Sequence, residues 1–138
     1  MDFSALFDIS AAGMNFERMR LEVTATNLAN AQTTGTAFRP LRAVATAAMP
    51  ESFDLSLAAA LPRPLDVQIV PTSAAPRLVL DPGHPDADAR GFVAYPDVSP
   101  VSEMVRLVEI GRAYEANVRA LGMARTMALK ALDIGSER

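Results

Sequence analysis

The stretch SPVSEMVRLVEIGRAYEANVRALGMARTMALKALDIG, residues 99–135, decides how the rest of the chain is read. Ser99 is a favourable helix N-cap, and Pro100 follows at the first helical position, where its missing N–H costs nothing. Gly135 stands where a left-handed residue would end the helix. In between, Met104, Leu107, Gly111, Tyr114, Val118, Leu121, Arg125, Ala128 and Leu132 recur by alternating threes and fours, which is a heptad seam. A second line of the same period, Ile110, Ala113, Asn117, Ala120, Ala124, Met127, Ala131 and Ile134, consists mostly of small residues. A helix with two seams needs neighbours on two sides, and the small-residue line predicts the closest approach.

The other end of the chain has the same character. From Phe3 to Ala31 the pattern is helical, with Ala5, Ile9, Ala12, Phe16, Met19 and Val23 on one line. Phe7, Met14, Leu21 and Leu28, spaced by sevens, form another on the opposite side. Burying one large apolar side chain is worth roughly 1.5–3 kcal/mol, so these lines can hold an interface. At about 1.5 Å per residue the two helices would be roughly 40 and 50 Å long. Two such rods with apolar residues on several faces resemble part of a multi-chain bundle rather than a closed monomer. Gly13 interrupts the first rod at a cost of about 1 kcal/mol relative to alanine, which only close packing explains.

Asn27-Leu28-Ala29-Asn30-Ala31-Gln32-Thr33-Thr34-Gly35 ends the first helix with turn chemistry, the amides and hydroxyls capping backbone groups and Gly35 supplying positive φ. Thr36 to Thr46 reads as extended or irregular, and 47–64 mixes short apolar pieces with Pro50, Pro62 and Pro64. Leu65–Val70 alternates as a strand, Arg77–Leu80 is a second, and Gly91–Pro96 is a third extended piece. Asp81-Pro82-Gly83-His84-Pro85-Asp86 is a turn. The fold expected is mainly α with a small β part. Its long terminal helices are paired as an antiparallel coiled coil, and a β-hairpin-like segment lies between them. The organisation is 1–35 for the first helix and turn, 36–98 for the β-rich outer segment and 99–138 for the second helix.

Composition narrows the function classes. A net charge of −3 and a pI near 5.1 leave no electrostatic footprint for nucleic acid, and the thirteen basic residues form no run. No apolar window of about 18 residues is present, so neither membrane spanning nor direct lipid binding is expected. The first ten residues lack a basic n-region and a clean apolar stretch, so no cleaved signal is expected. The absence of cysteine rules out disulfide and thiolate chemistry. The single histidine, His84, sits among Asp81, Asp86 and Asp88 with no second imidazole or thiolate, and the spacing fits neither zinc nor a calcium loop. Neither G-x-S-x-G nor a phosphate-binding glycine motif occurs. No enzyme activity, metal or cofactor is expected. On the second helix, Glu103, Glu109 and Glu115 with Arg106, Arg112, Arg119 and Arg125 read as a solvated or inter-subunit charged face. Tyr114 reads as a core aromatic with its hydroxyl at a bundle edge. Arg125, on the apolar seam, must face a neighbour's carboxylate or mark where the seam opens to water.

Asn27, Leu28, Ala29, Asn30, Thr33 and Gly35 together resemble the N-L-A-N-A-x-T-x-G signature of the bacterial flagellar rod, hook and related axial proteins. Leu80–Asp88, Gly91–Val98, Glu103-Met104, Tyr114–Val118, Ala131–Gly135 and Asp8–Met14 are similar to the proximal rod members of that family, and residues 41–76 match least. Relatives often carry asparagine near Glu22 and Thr26 and a basic residue at Pro40, and the tail 136–138 runs past their usual end. The resemblance implies a structural subunit of the flagellar basal-body rod, the periplasmic drive shaft, whose terminal helices form a coiled coil in the axial core. It implies other copies of the chain and other rod proteins as partners, and passage through the flagellar export apparatus. The expected interface residues are Ile9, Phe16, Val23, Phe7, Met14, Leu21 and Leu28 on the first helix. On the second they are Leu107, Tyr114, Val118, Leu121, Ala124 and Leu132. The alternative function is a coiled-coil adaptor or export chaperone acting as a small soluble oligomer.

Overall fold

Long runs of alanine, leucine, methionine and charged residues, with no proline past the first turn, carry both ends of the chain as helices. The computed structural model describes residues 3–46 and 66–136. The proline-containing stretch 47–64 lies outside them, as does Leu65. Helix α1 spans Phe3–Ala29 and helix α2 spans Pro100–Ser136. Ser99 caps α2 as its chemistry requires: its hydroxyl accepts from the Ser102 N–H at 3.4 Å and its carbonyl from the Glu103 N–H at 3.0 Å. Gly135 does not stop α2; it lies within the helix, which continues to Ser136.

Between the helices lie two antiparallel ribbons. Strand β1 (Leu41–Thr46) pairs with β2 (Asp66–Pro71), Leu41 opposite Pro71 and Thr46 opposite Asp66. Strand β3 (Arg77–Leu80) pairs with β4 (Phe92–Tyr95), Arg77 opposite Tyr95. The turn between β3 and β4 is closed by Asp88. Its carboxylate accepts from the backbone N–H groups of Arg90 at 2.8 Å and Phe92 at 2.9 Å. Two helices and two small two-stranded sheets make the chain mainly helical with a small β part.

The helices pack against each other and run in opposite directions. Gly13 of α1 abuts Asn117 of α2, whereas Thr24 and Asn27 share a cavity wall with Glu103 and Arg106. The buried face of α1 is the polar line Ser10, Glu17, Thr24 and Asn27, joined by Val23. From α2 the buried positions are Glu103, Ile110 and Ala124, with Asn117 half-buried between them. This settles which of the two α2 lines is turned inward. The line containing Ile110, Asn117 and Ala124 faces α1 over most of its length, although Ala131 at its end is exposed. The large-residue seam points outward: Met104 is 55% exposed, Leu132 70%, and Tyr114 and Val118 are exposed too.

Tyr114 is 44% exposed within this single chain, and one further expectation is corrected. Glu103 is not on a solvated face but is 4% exposed, because position 103 falls on the inward heptad line with Ile110, Asn117 and Ala124.

Candidate functional site

Two features of this architecture are suited to assembly: a joint at the end of α1, and apolar faces that the helix pair leaves uncovered. The joint is built by residues 27–35. Asn27 is 2% exposed, and its amide replaces a strand partner for Leu41, accepting from the Leu41 N–H at 2.8 Å and donating to the Leu41 carbonyl at 2.9 Å. A buried amide satisfied on both sides fixes where β1 leaves the helix. Asn30 donates from its side chain to the Thr26 carbonyl at 2.8 Å, a second bond to an acceptor that already takes the Asn30 N–H at 3.1 Å. Thr33 closes the turn by donating its N–H to the Asn30 carbonyl. Ala31 is buried, Leu28 half-buried and Ala29 exposed.

The same segment reaches the second ribbon. Gly35 adopts φ +89°, a conformation that L side chains rarely take, and its N–H donates to the Ala94 carbonyl of β4 at 2.9 Å. The Thr34 hydroxyl donates to the Asp86 carboxylate in the β3–β4 turn. One nine-residue segment therefore ties α1 to both ribbons. Turn chemistry was readable from the residue types, but the partners at Leu41, Asp86 and Ala94 were not.

Of the thirteen residues expected at interfaces, five are exposed. Ile9 and Leu21 on α1 are exposed, and Phe7, Met14 and Phe16 are half-buried. Val23 is buried within the chain, as is Ala124, and Leu107 and Leu121 are half-buried along the edge of the inner seam. Val118, Tyr114 and Leu132 face out, and α2 adds Val101, Val105, Val108, Met123 and Met127 to the exposed apolar surface. A monomer that turns polar residues inward and large apolar ones outward marks an interaction surface.

Each helix also buries a carboxylate. Glu17 is paired with Arg20 at 2.8 Å, and Glu103 with Arg106, both one helical turn apart. Sequence reasoning passed over Ser10, Glu17 and Thr24, although their spacing by sevens, beside Gly13, Arg20 and Asn27 at the same spacing, carries a helix-face signal. Glu103, Arg106 and Thr24 belong to a cavity of about 510 Å³ where α1, β1 and the start of α2 meet. Among the described residues no helix is long and apolar enough to cross a membrane.

The family described as flagellar basal body rod FlgEFG protein C-terminal matches residues 89–134, which cover β4 and nearly all of α2. Over nearly the whole chain it is similar to the flagellar basal-body rod protein FlgC of Escherichia coli O157:H7, 37% identical over 133 residues, covering 94% of this chain and 96% of the relative. FlgC of Yersinia enterocolitica is 36% identical over 140 residues, covering 98% and 99%. FlgC of Bacillus subtilis is 35% identical over 142 residues, covering 93% and 95%.

Proposed function

The chain belongs to the FlgC family of flagellar basal-body rod proteins, and from that premise we propose that it is a structural subunit of the bacterial flagellar rod. It acts by packing and not by catalysis. Residues 1–35 and 99–138 form one discontinuous helical unit, an antiparallel coiled coil belonging to the axial core. Residues 36–98 form the outer part. Partners are other copies of the chain and other rod proteins, reached after export through the flagellar apparatus to the periplasm, and torque passes through the helix contacts they share.

The observation that carries this reading is the inverted polarity of the helix pair. The seam within the chain joins Val23, Ile110 and Ala124 to the polar or small Ser10, Gly13, Glu17, Thr24, Asn27 and Asn117, while Met104, Val108, Tyr114, Val118 and Leu132 remain outside. Burial of large side chains is the larger driving force, so the strongest interactions available to this chain are with other chains. Deletion of the gene followed by imaging of isolated basal bodies tests it. The expected result is basal bodies without a complete rod and non-motile cells, restored by the wild-type gene. Normal rods in the deletion strain would overturn the reading.

A further inference from the structure

The chain's single histidine, His84, lies half-buried in the turn between β3 and β4, and its Nδ1 accepts from the Asp86 N–H at 3.1 Å. A ring nitrogen that accepts carries no hydrogen, so this contact requires the uncharged imidazole. The same Nδ1 lies 3.9 Å from Asp86 Oδ2, and that oxygen is the one to which the Thr34 hydroxyl donates. Thr34 belongs to the joint that ends α1, so a single carboxylate oxygen stands between the ring and the joint. The other charged side chains of the turn are Asp81, Asp88 and Arg90, the last two paired with each other at 3.3 Å. Residues 27–38 of the joint bring no charged group. On β3 and β4 there is only Arg77, opposite Tyr95 at the far end of the ribbon.

We propose that His84 is a proton-operated latch between the β3–β4 turn and the joint at the end of α1. When Nδ1 takes up a proton it no longer accepts, and two N–H groups then face each other across 3.1 Å. The new donor is drawn instead to Asp86 Oδ2, because a hydrogen bond between charged groups is about twice as strong as a neutral one. Closing 3.9 Å to a usual length of about 2.8 Å takes a movement of about 1 Å. Pro85, between the two residues, has a fixed φ, so side chains and not backbone supply that movement. Asp86 is the more exposed partner, 56% against 27% for His84, and its carboxylate is the group that turns. In turning it leaves the Thr34 hydroxyl to water, and the Gly35 N–H must hold the Ala94 carbonyl of β4 without that support. The latch concerns the chain's own fold and does not depend on the rod reading.

Amide exchange of the purified full-length chain, followed by NMR from about pH 8 to about pH 5 and divided by the intrinsic rate at each pH, tests the latch. Imidazole side chains change charge in that window, and ordinary carboxylates below it. Protection of the Asp86 amide is expected to fall about two- to tenfold, the worth of one hydrogen bond, and the Gly35 amide to lose protection with the same midpoint. His84→Asn supplies an oxygen that accepts from the N–H two residues on and does not titrate, so both amides should stay protected throughout. Asp86→Asn keeps an acceptor for Thr34 and removes the charge drawn to the ring. In that variant residue 86 should still lose protection with acid, while Gly35 keeps it. Constant protection of Asp86 in the wild-type chain would overturn the proposal, and this measurement needs no variant to fold. So would a wild-type Gly35 amide indifferent to pH in this window, or an acid loss at Gly35 that persists in His84→Asn.

Discussion

The side-chain amide of Asn117 rests on Gly13: a β-carbon at residue 13 would lie 2.9 Å from Asn117 Oδ1 and 3.0 Å from both Cγ and Nδ2. This close approach explains a glycine in the middle of a 27-residue helix. Gly13→Ala returns about 1 kcal/mol of helix propensity but forces the amide off its seat. The expected outcome is no gain, or a net loss, in the thermal stability of the purified chain followed by circular dichroism. In an Asn117→Ala background the same substitution gains the full propensity increment of about 1 kcal/mol. Equal effects of Gly13→Ala in both backgrounds would mean that the two residues are not coupled.

Asn27 is expected to be the least replaceable residue of the joint. Asn27→Ala strands both the N–H and the carbonyl of Leu41 beside a buried helix end, at about 1–3 kcal/mol for each group left without a partner. Asn27→Asp retains the acceptor for the Leu41 N–H but, when ionised, sets a carboxylate against the Leu41 carbonyl. Protonation gives the introduced carboxyl an O–H to donate there, so this variant recovers stability relative to wild type as pH falls. Denaturant melts at neutral and mildly acid pH measure this directly.

The β3–β4 turn carries its own pH dependence. The Phe92 N–H, and after it the Arg90 N–H and guanidinium, hold the Asp88 carboxyl below the usual carboxylate range. A carboxyl lowered in the folded state contributes stability that is present above its unfolded value and is lost as pH falls through the folded one. The amides of Arg90 and Phe92 are therefore expected to exchange faster with solvent as the medium is acidified through that range. Asp88→Asn, which still accepts both N–H groups, should flatten the profile. An unchanged acid dependence in the Asn variant would place its origin elsewhere in the turn.

The elements themselves were legible because each rests on local chemistry. Ser99-Pro100 opens α2 in both readings, Arg77–Leu80 is a strand in both, and Gly35 takes the positive φ expected of it. The partnering of faces was less legible, because heptad spacing identifies a stripe without saying what covers it. Two lines of α2 both carry the heptad spacing; the one through Met104, Tyr114 and Leu132 faces outward, and the inner seam accepts Glu17, Thr24 and Asn27. Hydrophobic patterning ranks stripes by burial in the final assembly, and in a chain with uncovered apolar faces that ranking differs from burial within one copy. Gly13 was the visible clue to the inner seam.

That distinction separates substitutions that unfold the chain from those that stop it assembling. Ile110 is 2% exposed on the inner line and Val108, two residues earlier, is 56% exposed. Ile110→Glu buries an unpaired charge between the helices and is expected to cost more than about 4 kcal/mol, enough to unfold the pair in a melt of the isolated chain. Val108→Glu and Leu132→Glu place a charge in water on an exposed helix face, where glutamate is a good helix former. Their melts should stay within about 0.5 kcal/mol of wild type. In the assembled rod the order reverses in significance, because those same glutamates would be forced into an apolar contact with a neighbour. Cells carrying Leu132→Glu are expected to export a stable chain and lack rods. Normal motility with either outer glutamate would show that the corresponding face remains in solvent, and would shift the assembly surface to the α1 side, around Ile9 and Leu21.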